Sequence, residues 1–565
     1  MERIVRMGLF SLLLALLLLT ATVGPDFPQY MGWALAARSA DISELLPTTV
    51  SPLGVPVSYW SHGPGFLFAL GSAVLGHPAA QNGLFQLDGG TLLIGTFAAM
   101  LFWWSMFGLL ARAAGSHPSL VLFGAAIAFV GTHAGFYSRA HASESLSLAC
   151  VAAMAYWVTS PRQWQVLDVL GLAALGALLI VIRPHLALYA ALGFVVMAYS
   201  AFLSGRRRLT GRTLGVTAAA SLLVAIAIAQ DLFVNRWMTG SALHLSAVFA
   251  TEGFRTFDFA RPEIAAVLVH PWHGLLTYHP LYGVGFVALV ITLAQTSASG
   301  AERWFYLALL LILGAHLYVQ GAWFCWWLGM QTYGMRGLAV TSVALVPVLL
   351  ARMRTNAVAG RSNAVWIIAS VASSLWSYAL LWQGISNFYT YGELLAAQRQ
   401  TATSRQFLAV VAPALAVAVA SLRWRDPLTA AGSTLWALLF AYLIRTWHAS
   451  SSCMLGALTA LFAVAATVAG APRPEWASPR RATEISVAAL VLTAFLFVSG
   501  SFARLALHTE ADIARGRHST HPFRYMNTVP IGEIRASYVE YLRVRGFDEK
   551  KRALRDFLAG VGAPR

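Results

Sequence analysis

The chain has 565 residues, of which 58% are hydrophobic and only 11% charged. Soluble globular proteins carry roughly 25% charged residues, so this sequence lacks the polar surface for a water-soluble fold, and a cytosolic enzyme, a disordered scaffold and a coiled coil are all excluded. The formal net charge of +16 would suit a nucleic-acid binder, but the basic residues are scattered between apolar runs instead of being gathered on one domain. No nucleic-acid partner is expected. Cys150, Cys325 and Cys453 lie far apart in or beside apolar segments, with neither metal-ligand spacing nor a disulfide framework.

A helix that crosses a bilayer needs about 20 mostly apolar residues. Runs of that kind cover 8–24, 88–111, 119–136, 144–160, 166–182, 185–203, 213–230, 280–297, 304–320, 337–351, 363–382, 406–422, 428–444, 453–471 and 485–503. The expected fold is an all-α integral membrane bundle of about 13–15 transmembrane helices with outer-side surface helices. Arginines such as Arg3, Arg6, Arg112, Arg206, Arg352, Arg354 and Arg361 fall on one set of connections. The positive-inside rule then puts the N-terminus in the cytoplasm. The first run follows Arg3 and Arg6 but lacks a small-x-small cleavage site near Val23, so it reads as a retained anchor. The longer connections are then outside: 25–87, 231–279, the Trp-rich 321–336, 383–405 and a tail over 504–565, helical in pattern from Ile531 to Phe557. Long loops in a compact chain are usually functional or disordered, and these are too apolar and aromatic for disorder.

In the first outer loop, Asp26 precedes Phe27 and Pro28, a pattern suited to a helix start. The stretch from Tyr30 to Arg38 has helix-forming composition and is too short to span, which suggests a helix along the membrane surface. Asp26 and Tyr30, four apart, would share a face. Two compatible readings of Asp26 stand: a helix cap, or a carboxylate placed to engage a hydroxyl nucleophile. A Gly/Pro-dense turn follows over 51–65, then an apolar run at 66–76 too short to cross, hence re-entrant or interfacial.

Taken in order, these features resemble the GT-C superfamily of polyprenyl-phosphate-sugar-dependent membrane glycosyltransferases, in particular bacterial protein O-mannosyltransferase and aminoarabinose-transferase groups. The residues that carry the resemblance are Asp26 with Tyr30, then Pro52, Gly54, Pro56 and Gly63-Pro64-Gly65. They continue with Tyr137, His141-Ala142-Ser143-Glu144, Arg183-Pro184-His185, the segment His270 to Pro280, and Trp326-Trp327-Leu328-Gly329 leading to Gly334-Met335-Arg336. The resemblance covers roughly residues 1–350. One position departs from it: several families place two adjacent acids after the first span, whereas Asp26 is followed by Phe27. Asp41 or Glu44 could substitute, and both also suit helix capping. The implied organisation is a catalytic membrane module at 1–351 (outer loops 25–87, 231–279 and 321–336), further transmembrane helices at 352–503 and an outer tail at 504–565.

A lipid-phosphate donor leaves charge on its departing phosphate, which fixed cations in low dielectric would offset. Arg139, Arg183, Arg236, Arg336 and Arg445 lie at outward apolar boundaries. Arg183 and Arg336 are the favoured phosphate ligands, against a purely interfacial role in which the side chain snorkels. Of fifteen histidines, only His117 falls on the inner side, and His62, His133, His141, His185, His270, His273 and His279 could approach one cleft. A structural role at a helix end competes for each. A divalent metal stays possible, though no ligand motif supports it. Trp323, Trp326 and Trp327 suit an aromatic belt or a sugar-stacking surface, and Glu144 a functional acid or a solvated helix start.

The resemblance implies a glycosyltransferase in a bacterial plasma (inner) membrane that moves a sugar from a polyprenyl-phosphate donor to a hydroxyl on a glycan, lipid or protein acceptor, with inversion, at an outer-face site. Asp26 would take the acceptor proton, and Arg183 and Arg336, with His185 and His279, would hold the donor phosphate. Tyr30, His62, His141, Glu144, Trp326 and Trp327 would bind substrate. Two alternatives stand beside it: an O-antigen polymerase/ligase-like enzyme, with its decisive cations in a later and larger outer loop, and a lipid or glycan transporter, with internal repeats and charges at the midplane.

Overall fold

The computed structural model describes residues 27–42, 49–50, 56–57, 61–75, 89–115, 117–138, 143–159, 166–191, 193, 211–240, 242, 259–271, 273–295, 300–323, 334–383, 391–404, 407, 428, 431–432, 435 and 479–515. The helices among them are α1 (Phe27–Ser39), α2 (Gly63–Leu75), α3 (Gly89–Ala114), α4 (Pro118–Gly131), α5 (Ala134–Tyr137), α6 (Ser143–Val158), α7 (Val166–Ile182) and α8 (Gly211–Thr239). They continue as α9 (Ile264–Val269), α10 (Leu275–Tyr278), α11 (Leu281–Gln295), α12 (Gly300–Ala322), α13 (Ser342–Val358), α14 (Ala364–Gln383), α15 (Tyr391–Thr403) and α16 (Pro479–Ala514). A two-residue antiparallel pair, β1 (Thr49–Val50) and β2 (Pro56–Val57), sits between α1 and α2, with Thr49 opposite Val57 and Val50 opposite Pro56.

The chain is thus an all-α membrane bundle. Six described helices are long and apolar enough to cross a bilayer, over Gly89–Ala114, Gly215–Trp237, Arg303–Ala322, Arg336–Val358, Ala364–Gln383 and Leu490–Ala511. Five more are apolar and shorter, among them α4, α6, α7 and α11. The predicted spans from 88–111 to 166–182, from 213–230 to 363–382, and 485–503 fall on described helices. Those at 8–24, 406–422, 428–444 and 453–471, most of 185–203, and the tail helix Ile531 to Phe557 lie outside the described residues, apart from isolated positions.

The interior is built from large apolar side chains on neighbouring helices: Phe102, Trp103 and Leu110 of α3, Phe123 of α4 and Leu349 of α13 are fully enclosed. Leu222 and Ile228 on α8, Val287 on α11, Leu311 on α12 and Ile368 on α14 are exposed. A helix that shows aliphatic side chains outward as well as inward is suited to a lipid surround. Inside such a bundle helices gain by close van der Waals approach, which small residues permit. At the α2–α3 crossing a Cβ added to Gly90 would stand 2.2 Å from the backbone nitrogen of Ser72, and one on Gly71 2.3 Å from the Gly90 carbonyl oxygen.

Three local outcomes refine the sequence reading. The helix expected from Tyr30 to Arg38 forms as α1, but Tyr30, Trp33, Ala34 and Ala37 are buried, because α2 and α16 cover it. The expected short segment forms as α2, whose 13 residues rise about 20 Å, too little to cross, and protein surrounds its backbone as the absence of water would require. The span expected over 119–136 is broken: α4 stops at Gly131, and Thr132 turns extended (φ −130°, ψ 174°). The Thr132 hydroxyl caps both sides of the break, donating to the Ala128 carbonyl and accepting the Ala134 N–H at 3.1 Å.

The last helix also runs farther than expected, through Arg504 to Ala514. Its polar end is anchored: Arg504 donates to the carbonyls of Ala37 (2.9 Å) and Arg38 (2.7 Å), and Glu510 receives Trp237 Nε1 (3.0 Å) and pairs with Arg236 (3.0 Å).

The two ends of the bundle differ. At one, Arg112 donates to the Tyr156 carbonyl and to Thr159 (2.9 Å), its guanidinium carbon lies 3.9 Å from the centre of the Tyr156 ring, and Arg354 reaches the Arg112 carbonyl. This end holds the C-termini of α3, α6 and α13. The other holds the start of α6, the end of α7 and the entry to α13.

Gly90→Ala is predicted to force α2 and α3 apart and lower stability by about 1–3 kcal/mol, the usual cost of overpacking. Gly215→Ala, with nothing within 4 Å of the new methyl, should leave it unchanged or slightly raised. Thermal unfolding of both variants in detergent checks the contrast, and equal melting temperatures would contradict the packing account.

Candidate functional site

The second end of the bundle contains a buried ion cluster. Helix α6 opens with Ser143 and Glu144, and an acid in a first turn is favoured by the positive pole of the helix. Its carboxylate is 2% exposed. Arg183 directly follows α7, where Pro184 disfavours helical geometry for the residue before it. Arg183 is accordingly extended, at φ −153° and ψ 93°, and this swings its side chain back across the start of α6. Its Nη2 pairs with Glu144 Oε1, and its Nε donates to Ser143 Oγ at 3.0 Å.

Arg336 arrives from a different direction. It opens a 3-10 turn, Arg336–Thr341, that leads into α13, and its Nη1 lies 3.7 Å from the same Glu144 oxygen. The turn before it depends on Gly334, whose φ of +66° suits glycine. A Cβ there would also come within 2.9 Å of His133 Nε2 and 3.0 Å of Tyr278 Cβ.

Ser143 is the hub of the cluster. A hydroxyl has one donor and two acceptor positions. Ser143 accepts from Tyr30 (2.9 Å) and from Arg183, and donates to Glu144 Oε2 (3.4 Å). Ser143 and Glu144 between them tie together four elements distant in sequence: α1, α6, the turn after α7 and, through the Glu144–Arg336 pair, the turn before α13. One carboxylate faces two guanidiniums, so the cluster carries a net positive charge. The arginines are 13% and 21% exposed, so both keep an open edge.

Histidines and tyrosine hydroxyls flank the arginines. Beyond Arg183, the rings of His185 and His316 lie 5.9 Å apart, and His316 Nδ1 meets the Tyr189 hydroxyl at 3.0 Å. Beyond Arg336, His133 and His279 have ring centres 4.0 Å apart, and His133 Nδ1 meets the Tyr282 hydroxyl at 2.9 Å. His273 is held neutral: burial, with Arg336 and His270 adding, pushes its pKa down to about 3. On the α12 side Gln320 packs against Gly337, where any Cβ would meet its amide oxygen at 2.3 Å. Among the described residues no three His, Cys, Asp or Glu side chains are grouped so that they could hold a metal.

Of the residues singled out from the sequence, Tyr30, Glu144, Arg183 and Arg336 form the cluster itself, and His185 and His279 flank it. His62 does not join it. That ring sits in a cage of Trp33, Phe66 and Phe502, 3.2 Å from Gln230 Oε1 and 3.9 Å from Asp231. It pins α1, α2, α8 and α16 together. Its neighbour Ser61 donates to the Ile182 carbonyl and so steadies the end of α7 just before Arg183. Asp26, His141, Trp326 and Trp327 lie outside the described residues. Sequence reasoning missed the hub role of Ser143, which stood beside Glu144 in a quoted motif. It also missed Tyr282 and Gln320, whose place depends on which helices pack together and leaves no local signal.

No family model and no curated protein matches the chain. The crystal structure of ArnT from Cupriavidus metallidurans bound to undecaprenyl phosphate is similar, at a TM-score of 0.48 and 12% sequence identity, with 83% of this chain and 77% of that chain covered. At a TM-score below 0.5 this likeness is too loose to bear on function.

Two predictions follow from the cluster and the cage. Glu144→Gln would leave two partly buried guanidiniums without their shared counter-charge and should cost about 1–3 kcal/mol of stability, less than the full cost of breaking a sealed pair because both arginines keep an open edge; an unchanged denaturation midpoint would contradict the pairing. Burial holds His62 at a pKa of about 4, against 6.5 when free. A native state that binds the proton less tightly than the unfolded chain is stable above pH 6.5 and weakens as pH falls toward 4. His62→Phe should abolish much of that acid-induced drop in melting temperature, by an amount equivalent to about 3 kcal/mol at pH 4.

Proposed function

We propose that this chain is a membrane glycosyltransferase that moves a sugar from a polyprenyl-phosphate donor to a hydroxyl acceptor, with inversion, at the end of the bundle where Glu144, Arg183 and Arg336 meet. The observation that carries this reading is the sharing of one buried carboxylate by two arginines. Glu144 fixes both guanidiniums at close quarters yet neutralises only one, and the remaining positive charge suits a phosphate. Guanidinium forks match phosphate oxygens, and in a low-dielectric setting preset cations act strongly on charge that develops during reaction.

The chemistry then runs as a single displacement. The acceptor hydroxyl gives its proton to Asp26, the residue before α1 and one turn ahead of Tyr30 in sequence. Its oxygen bonds to the anomeric carbon from the face opposite the phosphate. The anomeric carbon–oxygen bond to the phosphate breaks, and its electron pair stays on the leaving polyprenyl phosphate, whose added negative charge Arg183 and Arg336 balance. His185 and His279 stand as donors to the same phosphate, and Tyr30 as a hydroxyl at the sugar. The end with Arg112, Arg352, Arg354 and Arg361 would face the cytoplasm of a bacterial inner membrane and the cluster the outside. The placement of these ionisable groups at helix ends favours a transferase over a transporter built around midplane charges. Cations drawn from two short turns, not one large late loop, favour it over an O-antigen polymerase or ligase.

Sugar transfer from a radiolabelled polyprenyl-phosphate donor, followed in detergent, tests the reading. Asp26→Asn should lower turnover about 100-fold or more, and Arg336→Ala about 100-fold, each with normal expression. Full activity of either variant would remove that residue's role, and full activity of both would overturn the proposal.

A further inference from the structure

The opposite end of the bundle holds arginines that the proposed chemistry does not use. Arg352, on α13, is 7% exposed, yet among the described residues its guanidinium donates to a neutral amide, Gln295 at the end of α11. Its Nε is buried without a hydrogen-bond acceptor. Arg361, just beyond the helix, is exposed, two turns and a bend after Arg352 in sequence. Among the described residues neither Arg352 nor Arg361 pairs with an acid. Two like charges of which one is buried, with no counter-charge between them, form an unbalanced site.

One turn after Arg352, on the same face of α13, Asn356 is also buried, and its Oδ1 has no donor. The orientation of that amide is fixed by its neighbours. Asn363 Nδ2 donates to the Met353 carbonyl at 2.9 Å, which leaves Asn363 Oδ1 as an acceptor, and Asn356 Nδ2 donates to it at 3.2 Å. The free atom of Asn356 is therefore its oxygen. Arg361 is held beside this pair by its own N–H to the Asn356 carbonyl, at 2.8 Å.

A simpler role for arginine at a helix C-terminus is to offset the negative helix pole. That role would direct the guanidinium of Arg352 to terminal carbonyls, whereas it turns to Gln295 and leaves its buried Nε without an acceptor. It also gives no reason for an unfilled acceptor on Asn356.

We infer that Arg352, Arg361 and Asn356 form a binding site for the headgroup of an anionic phospholipid that carries a hydroxyl, with phosphatidylglycerol as the chemical type. The phosphodiester accepts from Arg352 Nε and from the Arg361 guanidinium, and a headgroup hydroxyl donates to Asn356 Oδ1. Donors and acceptor thereby gain the partners they lack, and the site lies at the opposite end of the bundle from Glu144.

The test is thermal unfolding of the full chain in detergent with added phosphatidylglycerol, phosphatidylmethanol, phosphatidylcholine or inorganic phosphate. Phosphatidylglycerol should raise the melting temperature most, phosphatidylmethanol less, and the other two little. Arg361→Gln, an exposed change that should not disturb folding, should weaken the apparent affinity for phosphatidylglycerol about fivefold, the equivalent of about 1 kcal/mol for one arginine near an anionic surface. Arg361→Glu should weaken it further. An equal shift with phosphatidylcholine, a full shift with inorganic phosphate alone, equal shifts with phosphatidylglycerol and phosphatidylmethanol, or an unaltered response in both Arg361 variants would each overturn the assignment.

Discussion

Glu144 is placed where an isolated carboxylate would be costly, nearly sealed from solvent in a chain whose surroundings are apolar. Arg183 and Arg336 offset that cost, and a buried ion cluster of this kind holds only when each member is held in place. Much of the local architecture serves that requirement. Pro184 turns Arg183 out of α7, Gly334 makes the turn that delivers Arg336, and Ser143 uses its one donor and two acceptor positions to join Tyr30 to both charges.

The bundle around the cluster separates two environments. Interior helices meet through small residues and large rings, while α8, α11, α12 and α14 turn aliphatic side chains outward. The ends differ in chemistry. One carries arginines tied to carbonyls, a ring face and amides. The other carries a carboxylate shared between two arginines, with histidines and tyrosine hydroxyls beside them. The break at Thr132 belongs to this second end, since it frees His133 to meet Tyr282 and His279. An unbroken span there would have kept that histidine in a helical register.

Much of the fold was legible in the sequence because a bilayer imposes a length and an apolar composition on every crossing. The helix at 166–182 was placed to the residue and several others to within a few, whereas α8 runs nine residues past the expected end at 230, α13 seven past 351, α4 stops five short of 136, and α16 overruns at both ends. That overrun was hidden because Arg504 and Glu510 look like a solvated tail in sequence, and only their partners on α1 and α8 make the helix continue. The break in α4 was hidden too, as a threonine in an apolar run signals a break only once its hydroxyl has found both sides. For the site, Arg183 and Arg336 stood out because arginine at an apolar boundary is expensive and sits in a turn marked by proline or glycine. Their mutual partner was less legible. From the sequence Glu144 reads equally as a functional acid or a solvated helix start, and nothing there pairs it with residues 39 and 192 positions away. Burial of α1 likewise depends on α2 and α16, which lie far along the chain.

The central claim is that two guanidiniums, fixed by one carboxylate, present a net positive edge to a lipid-linked phosphate. Comparing the affinity of the purified protein for a polyprenyl phosphate with that for the matching polyprenol isolates the contribution of that edge from the contribution of the lipid tail. The account predicts that the phosphate binds at least about tenfold more tightly, as charge-assisted hydrogen bonds imply, and that Arg336→Gln erases most of the difference. Equal binding of phosphate and alcohol, or a preference that survives the loss of Arg336, would contradict it.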